Sequence, residues 1–349
     1  MKRRNLPRVT CLALTSMFIL AVAFGGPWLA RAASARQAQA SWSSIPRQYF
    51  APYTDITMQH DFARMFQKTG TPYFSLGFVI ANTNGACDAT WAGTTSVSHG
   101  FMQSDIAALR AMGGDAIPSF GGAAGTELAI ACTTVSSLQE QYQRVINAYH
   151  FTHLDFDIEG KALLHTPSID RRNKAIAALQ AAARAQGQKL TVSYTLSVNT
   201  YGMDSTSVNL LQNAVSNGVN VSVVNIMVMD YYDPSTAPPN QMGENAIKAA
   251  RSTIGQLRGI YPSKTSQQLW SMIGLTPMVG ENDDTVEVFT EKDAQQVLTF
   301  ARQQGIAELS FWSVELDKPC TGSETPTNNC SGVQQKPFDY SHIFDGFNM

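Results

Sequence analysis

Apolar runs of strand length alternate with helical segments along most of this chain. The strand-like runs lie near residues 47–53, 73–80, 115–121, 151–159, 189–198, 222–231, 270–278 and 308–316. Strands that alternate with helices form a parallel sheet, because the crossover between parallel strands is long enough to hold a helix. Eight such units in 349 residues predict an α/β fold, a (β/α)8 TIM barrel in one domain without a clear insertion domain. A doubly wound sheet is the alternative, although no GxGxxG or P-loop sequence follows any run.

Local signals predict four of the intervening helices. One spans residues 101–112 and stops at Gly113-Gly114, one has a capping box of Ser137 and Glu140, one spans residues 169–185, and one opens with Thr290 and Asp293 in the same capping pattern. Trp270 is expected to begin the seventh strand, far from the barrel mouth. The loops over residues 81–98 and 122–136 follow strands two and three, so we expect them at the carboxyl end of the barrel, where active sites lie.

The first forty residues have the pattern of an export signal. A basic start at residues 2–4 precedes an apolar stretch over residues 11–24, and small residues follow near positions 32 and 40. We therefore predict a signal peptide over residues 1–40, cleaved near 32 or 40, and a secreted protein formed by residues 41–349. An uncleaved membrane anchor is the alternative, but the apolar stretch is short for a bilayer span of ~20 residues. No membrane attachment is expected after cleavage.

The charge of the chain is nearly balanced, with 25 Lys and Arg against 27 Asp and Glu and no basic run. Nucleic-acid-binding proteins carry basic patches, so we expect no nucleic-acid partner. We expect the protein to be a monomer.

Four cysteines follow the predicted signal peptide, which itself contains Cys11. Cys320 and Cys330 are close together in a loop rich in Pro, Thr and Asn, so we expect them to pair, which leaves Cys87 with Cys132. Both bridges would form in an oxidising compartment. A zinc site is the alternative, but there is no CxxC pair and no histidine at ligand spacing. We predict no metal and no cofactor.

Three carboxylates alternate with three apolar residues over residues 154–159. Side chains two apart on a strand share a face, so Asp155, Asp157 and Glu159 project together. Like charges that are buried together raise at least one pKa. This pattern indicates a site in which one carboxyl group stays protonated near neutral pH and acts as an acid.

Other interpretations of this acidic strand are weaker. An EF-hand would need Glu where Thr166 stands, and a two-metal hydrolase would need more than His153 nearby, since no HxH or HExxH is present. A structural ladder of buried acids satisfied by backbone donors is possible but costly. Glycoside hydrolysis fits better, because one carboxylic acid must protonate the leaving oxygen.

Residues 152–159 resemble the DxxDxDxE signature on the fourth strand of the family 18 glycoside hydrolases, the chitinases and their relatives. Residues 119–122 are similar to the family's SxGG on strand three, and residues 227–231 to its strand-six MxYD or MxMDY segment. Trp312 ends strand eight, where the family keeps a tryptophan. These matches follow barrel order and cover most of the chain after residue 40.

The resemblance implies a role for each matched residue. Glu159 would be the acid that protonates the glycosidic oxygen, Asp157 would orient the substrate acetamide, and Asp155 would share a proton with Asp157. Tyr231, or alternatively Tyr232, would hydrogen-bond the acetamide oxygen. The binding set would comprise Asp230 on a neighbouring hydroxyl or amide, Trp312 as the floor under the distorted sugar, Met229 and Ser119, although the last two are of types that commonly fill barrel interiors.

The chain departs from the family pattern at three positions. Thr152 replaces the first Asp of the signature, and His153 replaces a residue that is often Gly. By strand parity His153 shares a face with Asp155, and we hypothesise that it neutralises Asp155. Met229 stands where many members carry the MxYD tyrosine, which leaves the role of Tyr231 open.

The sequence therefore predicts a secreted, retaining, chitinase-like hydrolase that cleaves β-1,4 links in chitin or N-acetylglucosamine oligosaccharides. Two alternatives stay open: an endo-β-N-acetylglucosaminidase, and a non-catalytic sugar-binding protein on the same barrel. Trp91, in a rim loop, would either stack on a sugar or anchor its loop. A shallow, open cleft is expected, because the connection between the last two strands, residues 280–308, is too short to hold an insertion domain.

Overall fold

A computed structural model describes residues 45–58, 60–327 and 329–348. The predicted signal peptide and its cleavage sites lie outside these residues. The strands are β1 (Tyr49–Phe50), β2 (Tyr53–Asp55), β3 (Tyr73–Ala81), β4 (Ala89–Trp91), β5 (Thr95–Ser96), β6 (Asp115–Gly121), β7 (His153–Asp157), β8 (Thr191–Ser197), β9 (Val223–Met227), β10 (Ile273–Thr276), β11 (Gly280–Glu281), β12 (Val288–Phe289) and β13 (Glu308–Leu309). The helices are α1 (Phe62–Thr69), α2 (Gln103–Ala111), α3 (Leu128–Ala131), α4 (Val135–Tyr149), α5 (Gly160–Leu164), α6 (Thr166–Ala185), α7 (Ser205–Ser216), α8 (Met242–Ile260), α9 (Ser266–Trp270), α10 (Glu291–Gln304) and α11 (Asp339–Asp345).

The parallel strands form a closed (β/α)8 barrel, as predicted. β1 and β2 together make the first barrel strand: β1 pairs with β13, and β2 pairs with β3. The remaining neighbours follow chain order, β3–β6–β7–β8–β9–β10–β13. Two short antiparallel additions lie outside this ring, β4–β5 beside β3 and the β11–β12 hairpin after β10. Within the described residues, no helix combines the length and apolarity that a bilayer span requires.

Several predicted boundaries differ from the observed ones. β9 ends at Met227 and β13 at Leu309, although the apolar runs continue to residues 231 and 316. Trp270 was wrongly placed at the start of a strand: it ends α9, whose capping box of Thr265 and Gln268 was not recognised. The Trp270 ring packs edge-on against Phe300, with centroids 5.6 Å apart.

The helix signals were mostly correct. α10 has the predicted capping box of Thr290 and Asp293. The Ser137–Glu140 box was wrong, because Thr134 caps α4 by accepting from the Ser137 amide at 3.1 Å. α2 falls within the predicted range, and α6 begins at Thr166, earlier than expected.

The apolar faces of the strands pack outward on the helices, as the alternation predicts. Phe120 of β6 stacks on Phe156 of β7 with ring centroids 5.2 Å apart. Tyr142 of α4 packs edge-on against both rings, and Phe156 also contacts Tyr194 of β8. This aromatic layer is fully buried, so it fixes β6, β7 and β8 side by side and leaves their other faces directed into the barrel.

A buried ion pair secures the loop that follows β6. Arg172 of α6 donates to Glu127 at 2.7 Å, and the Arg172 side chain is completely shielded from solvent. Such pairs are strongly destabilising to break, because the remaining charge would stay buried without its partner. The pair therefore ties a mouth loop to the outer helical ring.

Both predicted disulfides are present. Cys87–Cys132 joins the loops that follow β3 and β6, and Cys320–Cys330 closes a short loop after β13. The first bridge pins two parts of the barrel mouth together, as expected from the sequence.

We predict that the two disulfides differ in their contribution to stability. The Cys87–Cys132 bridge spans a sequence separation of 45 and the Cys320–Cys330 bridge one of 10. In the chain-entropy description, the longer loop should contribute about 1 kcal/mol more. Replacing Cys87 and Cys132 by Ser should therefore lower the free energy of unfolding more than replacing Cys320 and Cys330 by Ser, as measured by guanidinium denaturation. Equal losses, or the reverse order, would contradict the prediction.

Candidate active site

The three carboxylates of residues 155–159 rise along one inner face of the barrel. Asp155 and Asp157 lie on β7 and are buried, at 3% and 4% exposed. Glu159 lies beyond the strand end and is the N-cap residue of α5, half-buried at the mouth. The depth of burial thus decreases from Asp155 to Glu159.

Close backbone packing beside Asp157 explains the paired glycines at the end of β6. The Gly122 amide donates to the Asp157 carbonyl at 2.9 Å. Gly121 has φ +112°, and a Cβ added there would lie 2.0 Å from the same carbonyl oxygen. Only glycine permits this approach, which brings the end of β6 against the acidic strand.

Four hydroxyl groups surround the carboxylate of Asp155. Its Oδ2 accepts from Tyr53 at 2.8 Å and from Ser119 at 2.6 Å. Its Oδ1 accepts from Ser193 at 2.7 Å and from Thr195 at 2.9 Å. Burial raises the Asp155 pKa, and the four hydrogen bonds act against that rise by favouring the ionised form. These donors come from the first, third and fifth barrel strands, so Asp155 is held by the barrel itself.

Asp157 and Glu159 interact directly through a side-chain hydrogen bond. Burial and then the charges of Glu159 and Asp155 raise the Asp157 pKa well above its usual range. Burial also raises the Glu159 pKa, and a hydrogen bond from Asp157 acts against this rise. Hydroxyl groups donate to both oxygens of Asp155, and the sharing of a proton between Asp155 and Asp157 stays a prediction.

His153 lies on β7 one step deeper than Asp155, as strand parity predicts, but it does not neutralise that residue. Burial, followed by the charge of Lys189, lowers the His153 pKa to about 3. The ring is thus neutral, and it packs edge-on against Tyr49 at 5.7 Å.

The turn after β9 presents two consecutive tyrosines differently. Tyr231 is buried, and its hydroxyl has no hydrogen-bond partner within the part of the chain that the structure describes. Tyr232 is 65% exposed. Both amides donate to Glu287 at 3.0 to 3.1 Å, and Asp230 accepts from the Asp284 amide at 2.9 Å. Asp230 raises the Glu159 pKa through its charge, so this turn borders the acidic cluster.

Trp312 forms an aromatic surface at the mouth with two other rings. It stacks on Phe78 at 5.7 Å with planes 11° apart, and it contacts Tyr53 at 6.1 Å. Trp312 is half-buried, so part of the ring stays accessible. The Tyr53 hydroxyl links this surface directly to Asp155.

Comparison with known proteins gives the family. The sequence matches no family model. It is 32% identical over 310 residues to the probable bifunctional chitinase/lysozyme of Escherichia coli (strain K12), covering 86% of this chain and 35% of that protein. It is 34% identical over 283 residues to Endochitinase 11 of Metarhizium anisopliae, covering 78% of this chain and 53% of that protein. The chain thus spans about a third to a half of the length of these relatives.

A solved structure is similar over nearly its whole length. The catalytic domain of the hyperthermophilic chitinase from Pyrococcus furiosus is 35% identical, with a TM-score of 0.79, over 88% of this chain and 97% of that domain. The chain belongs to the family 18 glycoside hydrolases. The resemblance noted from four barrel strands is therefore confirmed.

Three other residues singled out in the sequence of this family 18 barrel differ in burial. Ser119 is fully buried beside Asp155, to which its hydroxyl donates, and Met229 is half-buried against the hydrophobic core. Trp91 is fully buried in β4 and donates to the Tyr149 hydroxyl at 2.8 Å. Of the two interpretations of Trp91, loop anchoring is correct and sugar stacking is wrong.

Sequence reasoning missed the residues that serve the site from other strands. Ser193 and Thr195 lie on β8, and no role was given to them from the sequence. Tyr53 and Glu287 carried no motif at all. The inward parity of the first strand could have identified Tyr53, whereas only the folded turn identifies Glu287.

A neutral acid lies in the barrel interior near Asp155. Glu308 of β13 is buried and accepts from the Tyr49 hydroxyl at 2.9 Å. Burial, and then the charge of Asp155, raises its pKa to about 8. Glu308 is therefore protonated at neutral pH, which avoids a second charge beside Asp155.

We predict that Glu308 makes the protein less stable at alkaline pH. A folded-state pKa above the usual 4.5 means that its contribution is fully present below about pH 4.5 and is lost as the pH rises through about 8. Glu308→Gln keeps an acceptor for Tyr49 but cannot ionise, so its free energy of unfolding should depend less on pH. The difference in pH dependence should be at most roughly 5 kcal/mol.

Urea denaturation at about pH 5 and about pH 9 measures this effect. Glu140→Gln, on the exposed face of α4, is the matched control and should follow the wild type. If Glu308→Gln retained the full pH dependence of the wild type, Glu308 would not be its source.

Proposed function

We propose that this protein is a secreted, monomeric chitinase that cleaves β-1,4 links between N-acetylglucosamine units with retention and without a cofactor. The observation that carries the proposal is the position of Glu159, half-buried at the mouth, with a raised pKa and a hydrogen bond from Asp157. A carboxyl group in that setting keeps its proton to a higher pH than an exposed glutamate does, and it can transfer that proton to a substrate that enters from the mouth.

Glu159 acts as the general acid on the glycosidic oxygen. Its proton passes to the leaving oxygen as the bond to the sugar breaks, and the carboxylate that remains is stabilised by the hydrogen bond from Asp157. Asp157 can keep its own proton at this stage, because Asp155 behind it remains charged.

The acetamide oxygen of the substrate serves as the nucleophile, as the family resemblance implies. In this substrate-assisted reaction, no second enzyme carboxylate has to reach the sugar, which suits a barrel whose other two acids are buried. Asp157 orients the acetamide, Trp312 supports the distorted ring, and Asp230 binds a neighbouring hydroxyl or amide. Tyr231 supplies to the acetamide oxygen its hydroxyl, which has no hydrogen-bond partner among the described residues.

The related proteins support the choice of substrate. Two curated relatives are named as chitinases, and a mutant of the Pyrococcus domain is described in complex with chito-oligosaccharides. Secretion is supported by the two disulfides, which form in oxidising compartments. A purely sugar-binding function would not require the raised pKa of a mouth carboxyl group.

Glu159→Gln should abolish hydrolysis. The amide cannot donate an acidic proton, so release of reducing ends from colloidal chitin should fall by about 10²-fold or more. Binding of chitohexaose, measured by calorimetry, should persist because the rest of the cleft is unchanged. Glu140→Gln should retain full activity. A wild type that binds chitin but releases no reducing ends would establish a binding protein instead.

The initial product should have the β-configuration. Attack by the acetamide and then by water inverts the anomeric centre twice, which gives net retention. Proton NMR of chitohexaose during the first minutes of hydrolysis distinguishes the two anomers before mutarotation. An excess of the α-anomer at the earliest time would exclude the substrate-assisted mechanism.

A further inference from the structure

Glu287 joins the β11–β12 hairpin to the turn that follows β9. Its Oε1 accepts from the amides of Tyr231 and Tyr232, and its Oε2 also accepts from the Tyr231 amide. Glu287 is only 2% exposed, although it lies just outside the barrel wall. A buried carboxylate that binds only backbone amides of another segment fixes the conformation of that segment.

The turn that Glu287 holds is strained. Asp230 has φ +48° and Tyr232 has φ +53°, both in the left-handed region that favours glycine. Each such residue costs of the order of 1 kcal/mol or more and persists only where the surroundings enforce it. Here the enforcing contacts come from the hairpin. Glu287 accepts hydrogen bonds from the amides of the turn, and the Asp284 amide donates to the Asp230 carboxylate.

The strained conformation places Asp230 beside the acid. Asp230 follows β9 and Glu159 follows β7, and both strands pair with β8, so the two carboxyl groups lie at the same end of the barrel. The negative charge of Asp230 also raises the pKa of Glu159. The Asp230 amide also donates to Asn282, which is itself held by the Met278 and Gly280 carbonyls. The hairpin therefore fixes both the backbone and the carboxylate of Asp230.

We propose that Glu287 is a positioning residue for catalysis, which holds the strand-six turn so that the Asp230 carboxylate stays next to Glu159. This inference rests on the proposed function, in which Glu159 is the general acid. Glu287 does not touch substrate; it acts through the backbone of residues 230–232.

The length and charge of Glu287 can be separated by substitution. Aspartate keeps the charge but is one methylene shorter, so it cannot reach the two amides from the same backbone position. Glu287→Asp should therefore release the turn without removing a negative charge from the site. Glu281, on the same hairpin, provides a matched control, since its side chain lies beside Gly332 and Glu281→Asp leaves the turn untouched.

Release of the turn should change the pH dependence of the reaction. Charged groups that face Asp230 are Glu159 beyond β7, and Asp283, Asp284 and Glu287 of the hairpin loop. If Asp230 moves away from Glu159, the pKa of Glu159 falls, because one nearby negative charge is lost. Glu159 then loses its proton at lower pH, so the alkaline limb of the kcat profile moves to lower pH.

The experiment measures kcat and KM for chitohexaose against pH in four variants: Glu287→Asp, Asp230→Asn, the double variant and Glu281→Asp. We expect kcat at neutral pH to fall about tenfold in Glu287→Asp, with KM within about twofold of wild type and the alkaline limb at lower pH. In the Asp230→Asn background, Glu287→Asp should produce no further shift of that limb. Glu281→Asp should match the wild type.

The inference would be overturned by any of three results. The alkaline limb of Glu287→Asp could match that of the wild type, its shift could persist in the Asp230→Asn background, or Glu281→Asp could lose as much kcat as Glu287→Asp. A carbon-13 NMR titration of Glu159, assigned by its absence in Glu159→Gln, gives the same readout without substrate. An inactive wild type would therefore count against the proposed function, while the titration still decides the positioning role. If Glu287→Asp fails to fold, Glu287→Gln replaces it. Because Gln also removes a negative charge, only a shift of the alkaline limb that disappears in the Asp230→Asn background supports the positioning role, and a shift that persists there overturns it.

Discussion

The structure depends on one charge that four hydroxyl groups hold inside the barrel. Asp155 would be strongly disfavoured as a buried ion, since a desolvated carboxylate without partners costs many kcal/mol. Hydrogen bonds from Tyr53, Ser119, Ser193 and Thr195 replace the lost water, and the barrel closure brings their strands together. The fold therefore supplies the solvation that makes an acidic interior tolerable.

This fixed charge orders the protonation of its neighbours. Asp157 and Glu308 each have a raised pKa, in part because Asp155 is charged, and both favour the neutral form. The pKa of Glu159, which lies nearer to solvent, is raised instead by burial and by the charge of Asp230. The pKa is therefore raised at both ends of this row of carboxyl groups, at Glu308 in the interior and at Glu159 at the mouth, with Asp155 and its four hydroxyl partners between them.

Much of the barrel and the acidic ladder could be predicted because both depend on local periodicity. Carboxylates at alternate positions of one strand must share a face, and alternation of strands with helices is compatible with few folds. The partners of Asp155 could not be assigned in this way, because Tyr53 lies about a hundred residues away and its register is set only when the barrel closes. The role of Glu287 could not be predicted for a related reason. Glu287 binds the backbone of a strained turn, and no sequence pattern indicates that strain.

The departures from the family signature follow from the same geometry. Thr152 is exposed and precedes β7, where its carbonyl accepts from the Thr191 amide, so its side chain does not join the inward face. His153 faces inward but is neutral and packs on Tyr49. Since Asp155 takes all four of its donors from other strands, neither position is needed to hold its charge. The acidic ladder can therefore survive substitutions at its base, provided that the hydroxyl groups around Asp155 remain.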